Sequence, residues 1–170
     1  MSAQLEVRSA VSESWYAVRY EVNRHKSIIQ QLDALNVDVF PPYRTKVYHQ
    51  KNSRTFATHN VLLFPGYLLV KMDFDVVHTS VVMRIMGIYG FVHFGGHPPM
   101  VIPDSVIANL RKSIEQFQKN SVTPVARSNG MAFIVSENSS MARAAAFGEL
   151  LKQVHATRNC SRQNKMIISS

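Results

Sequence analysis

The chain has 170 residues, 46% of them hydrophobic and 18% charged, with 7 Gly, 7 Pro and one Cys. That is globular composition with room for one domain and a small second one. A lone Cys160 excludes an internal disulfide or a cysteine metal cluster, and no apolar run approaches the ~20 residues of a membrane span. Lys and Arg number 19 against 11 Asp and Glu, and a net charge of +8 favours a polyanionic partner. The first residues lack the apolar core of a signal peptide, so the expectation is a cytoplasmic, monomeric protein without a membrane anchor.

Residues 1–13 are small and polar and read as a flexible lead. Trp15 to Tyr20 is aromatic and β-branched, which predicts a strand. Asn23 is the expected cap of a first helix, in which Ile28, Ile29, Leu32 and Leu35 recur at helical spacing. A second strand runs from Val37 to the break at Pro41-Pro42. Arg44 to His49 alternates and leads into Gln50 to Arg54, the expected tip of a hairpin. Tyr67 to Met72 is a buried strand. Asp75 is the expected cap of a second helix that turns Val77, Val81 and Ile85 inward. Phe91 to Phe94 is one more strand, and Asp104 or Ser105 caps a third helix whose apolar face is Ile107, Leu110, Ile114 and Phe117. Strand, helix, three strands, helix, strand, helix is an α+β order, with helices over an antiparallel sheet.

After Lys119 the composition changes. Residues 120–130 are polar and read as a linker, leaving 131–170 as a small second domain. Phe133-Ile134-Val135 is apolar, and the Ala-rich run after Ser139-Ser140 starts a helix with Phe147, Leu150, Leu151 and Val154 on its apolar face. Residues 120–170 hold 6 Lys and Arg against 2 Asp and Glu, half the net charge in under a third of the length. About fifty residues bury too little to fold alone, so this tail is expected to lean on the first domain or on a partner.

No arrangement of residues favours catalysis. His93 and His97 straddle a Gly-Gly turn, Cys160 has no evident base beside it, and Asp73 and Asp75 are explained as turn and cap. Gly95-Gly96 lacks the Lys and the helix start of a phosphate loop. The reading is therefore a non-enzyme with neither metal nor cofactor. Arg24, Lys26, Gln30 and Gln31 on the polar side of the first helix, Arg84 after the second, and Lys51 and Arg54 at the hairpin tip suit phosphate contacts. Tyr43, Tyr48 and His49 are candidates for stacking on bases.

Phe64-Pro65-Gly66-Tyr67 before a hydrophobic strand, Trp15-Tyr16 opening the first strand, Met86-Gly87, Phe91-Val92 and Ile102-Pro103-Asp104 together resemble the N-terminal domain of NusG-type transcription elongation factors over residues 14–119. His78-Thr79-Ser80 and the run Phe94-Gly-Gly-His-Pro-Pro99 resemble the specialised RfaH-like branch, which also occurs on conjugative plasmids. The resemblance implies an operon-specific antiterminator that binds RNA polymerase in competition with NusG. Phe64, Tyr67, Leu69, Ile107 and Leu110 would dock the β′ clamp helices, and His78, Thr79 and Ser80 the β gate loop. Arg24, Lys26, Gln31 and Arg84 would touch the non-template DNA strand. At the branch's base-reading positions this chain has Glu21, Ser27, Gln31, Val81 and Met86, several different in kind, of which Val81 and Met86 cannot make those hydrogen bonds, and Arg19 stands where an aromatic is usual. In the family the tail is a KOW-type barrel. Here its Ala content and two glycines, Gly130 and Gly148, point instead to a helical tail folded over the clamp-helix surface. The rival reading is an RNA-binding, ribosome-associated module that uses the basic tail.

Overall fold

The computed structural model describes residues 13–49, 56–119 and 139–167. The expected lead, the hairpin tip at 50–54, the linker at 120–130 and Phe133 to Val135 lie outside the described residues.

The sheet is built around β1 (Ser14–Tyr20), whose burial on both faces explains its near-continuous apolar sequence. Antiparallel to it run β5 (Tyr67–Met72), β6 (Ile88–Phe91) and the short β7 (Val101–Ile102), and β2 (Asp38–Phe40) extends the sheet beyond β5. The order is β2-β5-β1-β6, with β7 also on β1. A separate hairpin pairs β3 (Tyr43–His49) with β4 (Phe56–Leu62) from Tyr43↔Leu62 to His49↔Phe56. The mixed helix and antiparallel sheet arrangement is the one the sequence predicts.

Strand alternation splits the core in two. Tyr16, Val18 and Tyr20 of β1, with Leu68, Val70 and Met72 of β5, face α1 (His25–Ala34) and α2 (Thr79–Met83). Trp15, Ala17 and Leu69 face the opposite way, toward α3 (Asp104–Lys119) and the 28-residue α4 (Ser140–Ile167). On α3, Ile107, Leu110 and Ile114 are buried and Phe117 packs beside them, as their spacing requires. Helix α4 begins where Ser139 accepts the Ala142 amide at 3.3 Å, a serine cap on an alanine run. Its buried residues include Phe147 and Leu151, with Leu150 and Val154 packed alongside, so the tail is helical and leans on the first domain.

Several local expectations are corrected. Asn23 is not a cap: Val22–Arg24 form a 3-10 turn that runs into α1 without a side-chain cap. Asp75 does not cap α2 either. Asp73 takes its amide at 2.9 Å and closes a turn, and α2 starts four residues later under His78. Ile85 is buried as expected, but Val82 is the buried residue of α2 and Val81 is exposed. The strand expected at Phe91 to Phe94 ends at Phe91, because the chain passes Val92 on to single hydrogen bonds with Ala17 and Met100. Strands β4 and β7 are additional to the three strands and one strand expected in those stretches. A β-bulge between Arg19 and Tyr20 leaves Tyr89 outside the β1–β6 register.

Candidate functional site

The five residues read as a clamp-helix surface come together. Phe64 from the turn before β5, Tyr67 and Leu69 from β5, and Ile107 and Leu110 from α3 belong to one apolar cluster, and α4 completes it. The Phe147 ring stacks on Phe64 with centroids 4.1 Å apart and 11° between planes, and meets Tyr67 edge-on at 5.6 Å. Phe64 is 1% exposed as a result, whereas Tyr67 keeps part of its surface in solvent.

Arg143 is the functional residue the sequence reading missed. It is buried, and its Nε donates to the Leu63 carbonyl at 2.8 Å while Nη2 reaches the Leu62 carbonyl at 3.3 Å. Toward the far end of the helix, Arg158 Nη1 donates to the Val101 carbonyl at 2.6 Å. Two guanidiniums thus tie α4 to main-chain carbonyls at both ends of its packed face, through charge-assisted bonds. The signal was present in the spacing: 143, 147 and 151 share one helix face, so a cation at 143 had to point where Phe147 points.

His78, Thr79 and Ser80 form the first turn of α2 on the other side of the sheet. The Ser80 amide donates to His78 Nδ1 at 3.2 Å, and its hydroxyl lies 2.8 Å from the same nitrogen. His78 and Ser80 are exposed, so the capping bond pre-sets an accessible polar edge.

The basic residues on this side are partly engaged with each other's elements. Arg24 pairs with Glu21 at 2.9 Å, and the stem of Arg24 crosses Gly87, where an added Cβ would lie 2.7 Å from Cδ. Gly87 also holds φ 98°, so only glycine suits this position. The crossing brings the start of α1 against the turn after α2, where Arg84 is exposed. Lys26 is exposed, while Gln31 donates to the Ser27 carbonyl and hydroxyl at 3.2 Å. Tyr43 is not a free stacking ring. Its hydroxyl sits 2.6 Å from His25 Nε2, and His25 Nδ1 lies 2.8 Å from the Tyr20 hydroxyl. Burial lowers the His25 pKa and pushes Tyr20 up to about 12, which keeps this triad neutral. Tyr48 and His49, like Lys51, Arg54 and Cys160, have side chains outside those described.

The NusG family, described as transcription termination factor nusG, matches residues 13–111. The chain belongs to the NusG family. The match runs from the start of β1 into α3, and so covers the sheet, α1 and α2 but not α4. Among solved structures, one titled "Domain interaction in Thermotoga maritima NusG" is similar at 19% identity and a TM-score of 0.37, over 72% of this chain and 69% of that one. NusG-family proteins are transcription elongation and termination factors that bind RNA polymerase, not enzymes. Among the described residues, no helix is long and apolar enough to cross a membrane, and no three His, Cys, Asp or Glu residues stand close enough to hold a metal ion.

Proposed function

We propose that this protein is an RfaH-like member of the family, a cytoplasmic, operon-specific antiterminator. It rides on transcribing RNA polymerase in place of NusG and suppresses pausing and termination. The surface that docks the β′ clamp helices is Phe64, Tyr67, Leu69, Ile107 and Leu110. The first turn of α2, His78-Thr79-Ser80, ties to the β gate loop, and Arg24, Lys26, Gln31 and Arg84 lie along the non-template strand. The observation that carries this reading is the stacking of Phe147 on Phe64 beside Tyr67. An apolar surface of this kind is a liability when bare, and a helix that covers it is a built-in mask. Polymerase then competes with α4 for one surface, and binding requires the closed state to give way.

The exposed Val81 and Met86 offer no hydrogen bonds to bases, so any recruiting sequence differs from that of a relative with polar residues there. Replacing His78, Thr79 and Ser80 together by Ala is expected to abolish pause suppression in a single-round elongation assay while polymerase binding through the β5–α3 surface persists. Unchanged pausing kinetics in the triple variant would remove the gate-loop role.

A further inference from the structure

The β3–β4 hairpin, the start of α1 and the first turn of α4 line a cleft of about 520 Å³, outside both the clamp-helix surface and the gate-loop turn. Its polar groups come from both sides of the mask's seam. Lys26, Tyr43, His59 and Asn60 belong to the domain, and Ser140 and Arg143 to α4. Val61, Leu62 and Pro65 supply apolar wall. Lys26, His59, Asn60 and Ser140 are exposed, so a ligand can reach them. Asn60 Oδ1 accepts the Thr45 hydroxyl at 2.9 Å, which orients the amide and leaves its two N–H donors for another partner. Tyr43 is braced by His25 Nε2 at 2.6 Å. Neutral His25 donates from one ring nitrogen and accepts at the other, and either tautomer leaves the Tyr43 hydroxyl a further bond to make.

Among the described residues no carboxylate lines the cleft, and the Lys26 ammonium does, which selects an anionic ligand over a cationic one. The Asn60 amide donates, while the Tyr43 phenol and the Ser140 hydroxyl both give and take hydrogen bonds. Such a mixed set suits a polar edge carrying donors and acceptors, not a bare oxyanion. The volume lies within the ~300–1,000 Å³ of small-molecule sites and exceeds what a phosphate ion alone would fill. A heteroaromatic base with an apolar face and a phosphate tail meets all of these requirements.

We propose that this cleft binds a free mononucleotide, with its phosphate on Lys26, its base against Asn60, Tyr43 and the apolar wall, and Ser140 of α4 completing the site, so that the ligand holds the mask shut. The inference rests on the masking role proposed above and adds a ligand that regulates it. A nucleotide that needs groups from both sides of the seam binds only the closed form. At a concentration tenfold above its dissociation constant it therefore raises the closed-to-open ratio about 11-fold. It also takes Lys26 away from the non-template strand.

The test is a titration of the full chain with AMP, GMP, CMP and UMP, each compared with ribose 5-phosphate at constant ionic strength. It follows the His59 ring and Asn60 side-chain amide resonances, the nuclear Overhauser contact between the Phe147 and Tyr67 rings, and amide exchange in α4. The expected result is a saturable shift of both resonances by at least one nucleotide, at a concentration about tenfold below that needed with ribose 5-phosphate. Exchange in α4 should slow about tenfold at ten times the dissociation constant. Asn60→Ala should remove the preference for the nucleotide while the ring contact stays. Equal action of ribose 5-phosphate overturns the proposal, because the base then goes unread. Saturation by a short single-stranded oligodeoxynucleotide and by no mononucleotide overturns it too, and makes the strand the ligand. A saturable shift with α4 exchange unchanged overturns the bridging role. A ring contact without any saturable shift overturns the nucleotide site and leaves the mask standing. Absence of the ring contact overturns the mask and the site with it.

Discussion

The two faces of the central sheet are closed by different means. On one, α1 and α2 follow directly from the strands they cover, and their residues interlock with Tyr16, Val18, Tyr20 and Leu68 through short connections. On the other, α3 covers only part of the face, and α4, more than twenty residues further along the chain, supplies Phe147 and Leu151 to finish it. The first face is closed wherever the domain is folded. The second is closed by a layer that brings its own anchors, Arg143 and Arg158, which bond to main-chain carbonyls. The proposed competition requires that this cover detach without undoing the strands beneath it.

That contrast can be broken by removing an anchor. Arg143→Ala takes away a buried guanidinium and leaves two carbonyls to find other donors, at a cost of about 2 kcal/mol to α4 docking. Hydrogen exchange in α4 should accelerate by more than tenfold while exchange in β1 and β5 stays unchanged. A uniform loss of protection through the whole domain would mean that the two faces are one cooperative unit.

It can also be sharpened in the stabilising direction. Gly148 lies inside α4, and a methyl there would meet the Tyr67 hydroxyl at 3.7 Å, an ordinary contact. Gly148→Ala should therefore strengthen the closed form by up to ~1 kcal/mol through helix propensity alone. Slower α4 exchange and weaker polymerase binding are expected together, and a gain in one without the other would uncouple the cover from function.

The smallest effect belongs to the permanently closed face. Burial holds the His25 pKa below its ordinary 6.5, so the unfolded chain takes up the proton more readily than the folded one. The stability contributed by neutral His25 is full above pH 6.5 and is lost as the pH falls from there toward the folded-state value. The thermal midpoint should decline over that window, and His25→Gln should flatten the decline; an unchanged acid limb in the variant would assign it to other groups.

What was legible in the sequence was periodic. The helical spacing of Ile107, Leu110 and Ile114, and of Phe147 and Leu151, named the buried faces of α3 and α4, and the aromatic, β-branched run at Trp15 to Tyr20 named the central strand. What failed were the local boundaries. Asp75 had the chemistry of a cap but was two residues from Asp73, whose carboxylate claimed its amide first. His78, which is not among the usual capping residues, took the role because its ring nitrogen reached Ser80. Of the candidate site, the apolar members were readable because burial and docking draw on the same residue types. Arg143 was overlooked because a cation in an alanine run looks solvated, although its spacing from Phe147 and Leu151 placed it on the buried face that meets the Leu62 and Leu63 carbonyls. The Arg24–Gly87 crossing is of another kind, a contact between segments that no local pattern announces.

On the proposed function, α4 and RNA polymerase compete for the surface around Phe64 and Tyr67. The most direct measurement is displacement of NusG from a stalled elongation complex by the full chain and by its Phe147→Asp variant, whose buried charge should drive α4 off. The account predicts that both displace NusG and that the variant does so at a lower concentration. Displacement by neither protein, or weaker displacement by the variant, would contradict it.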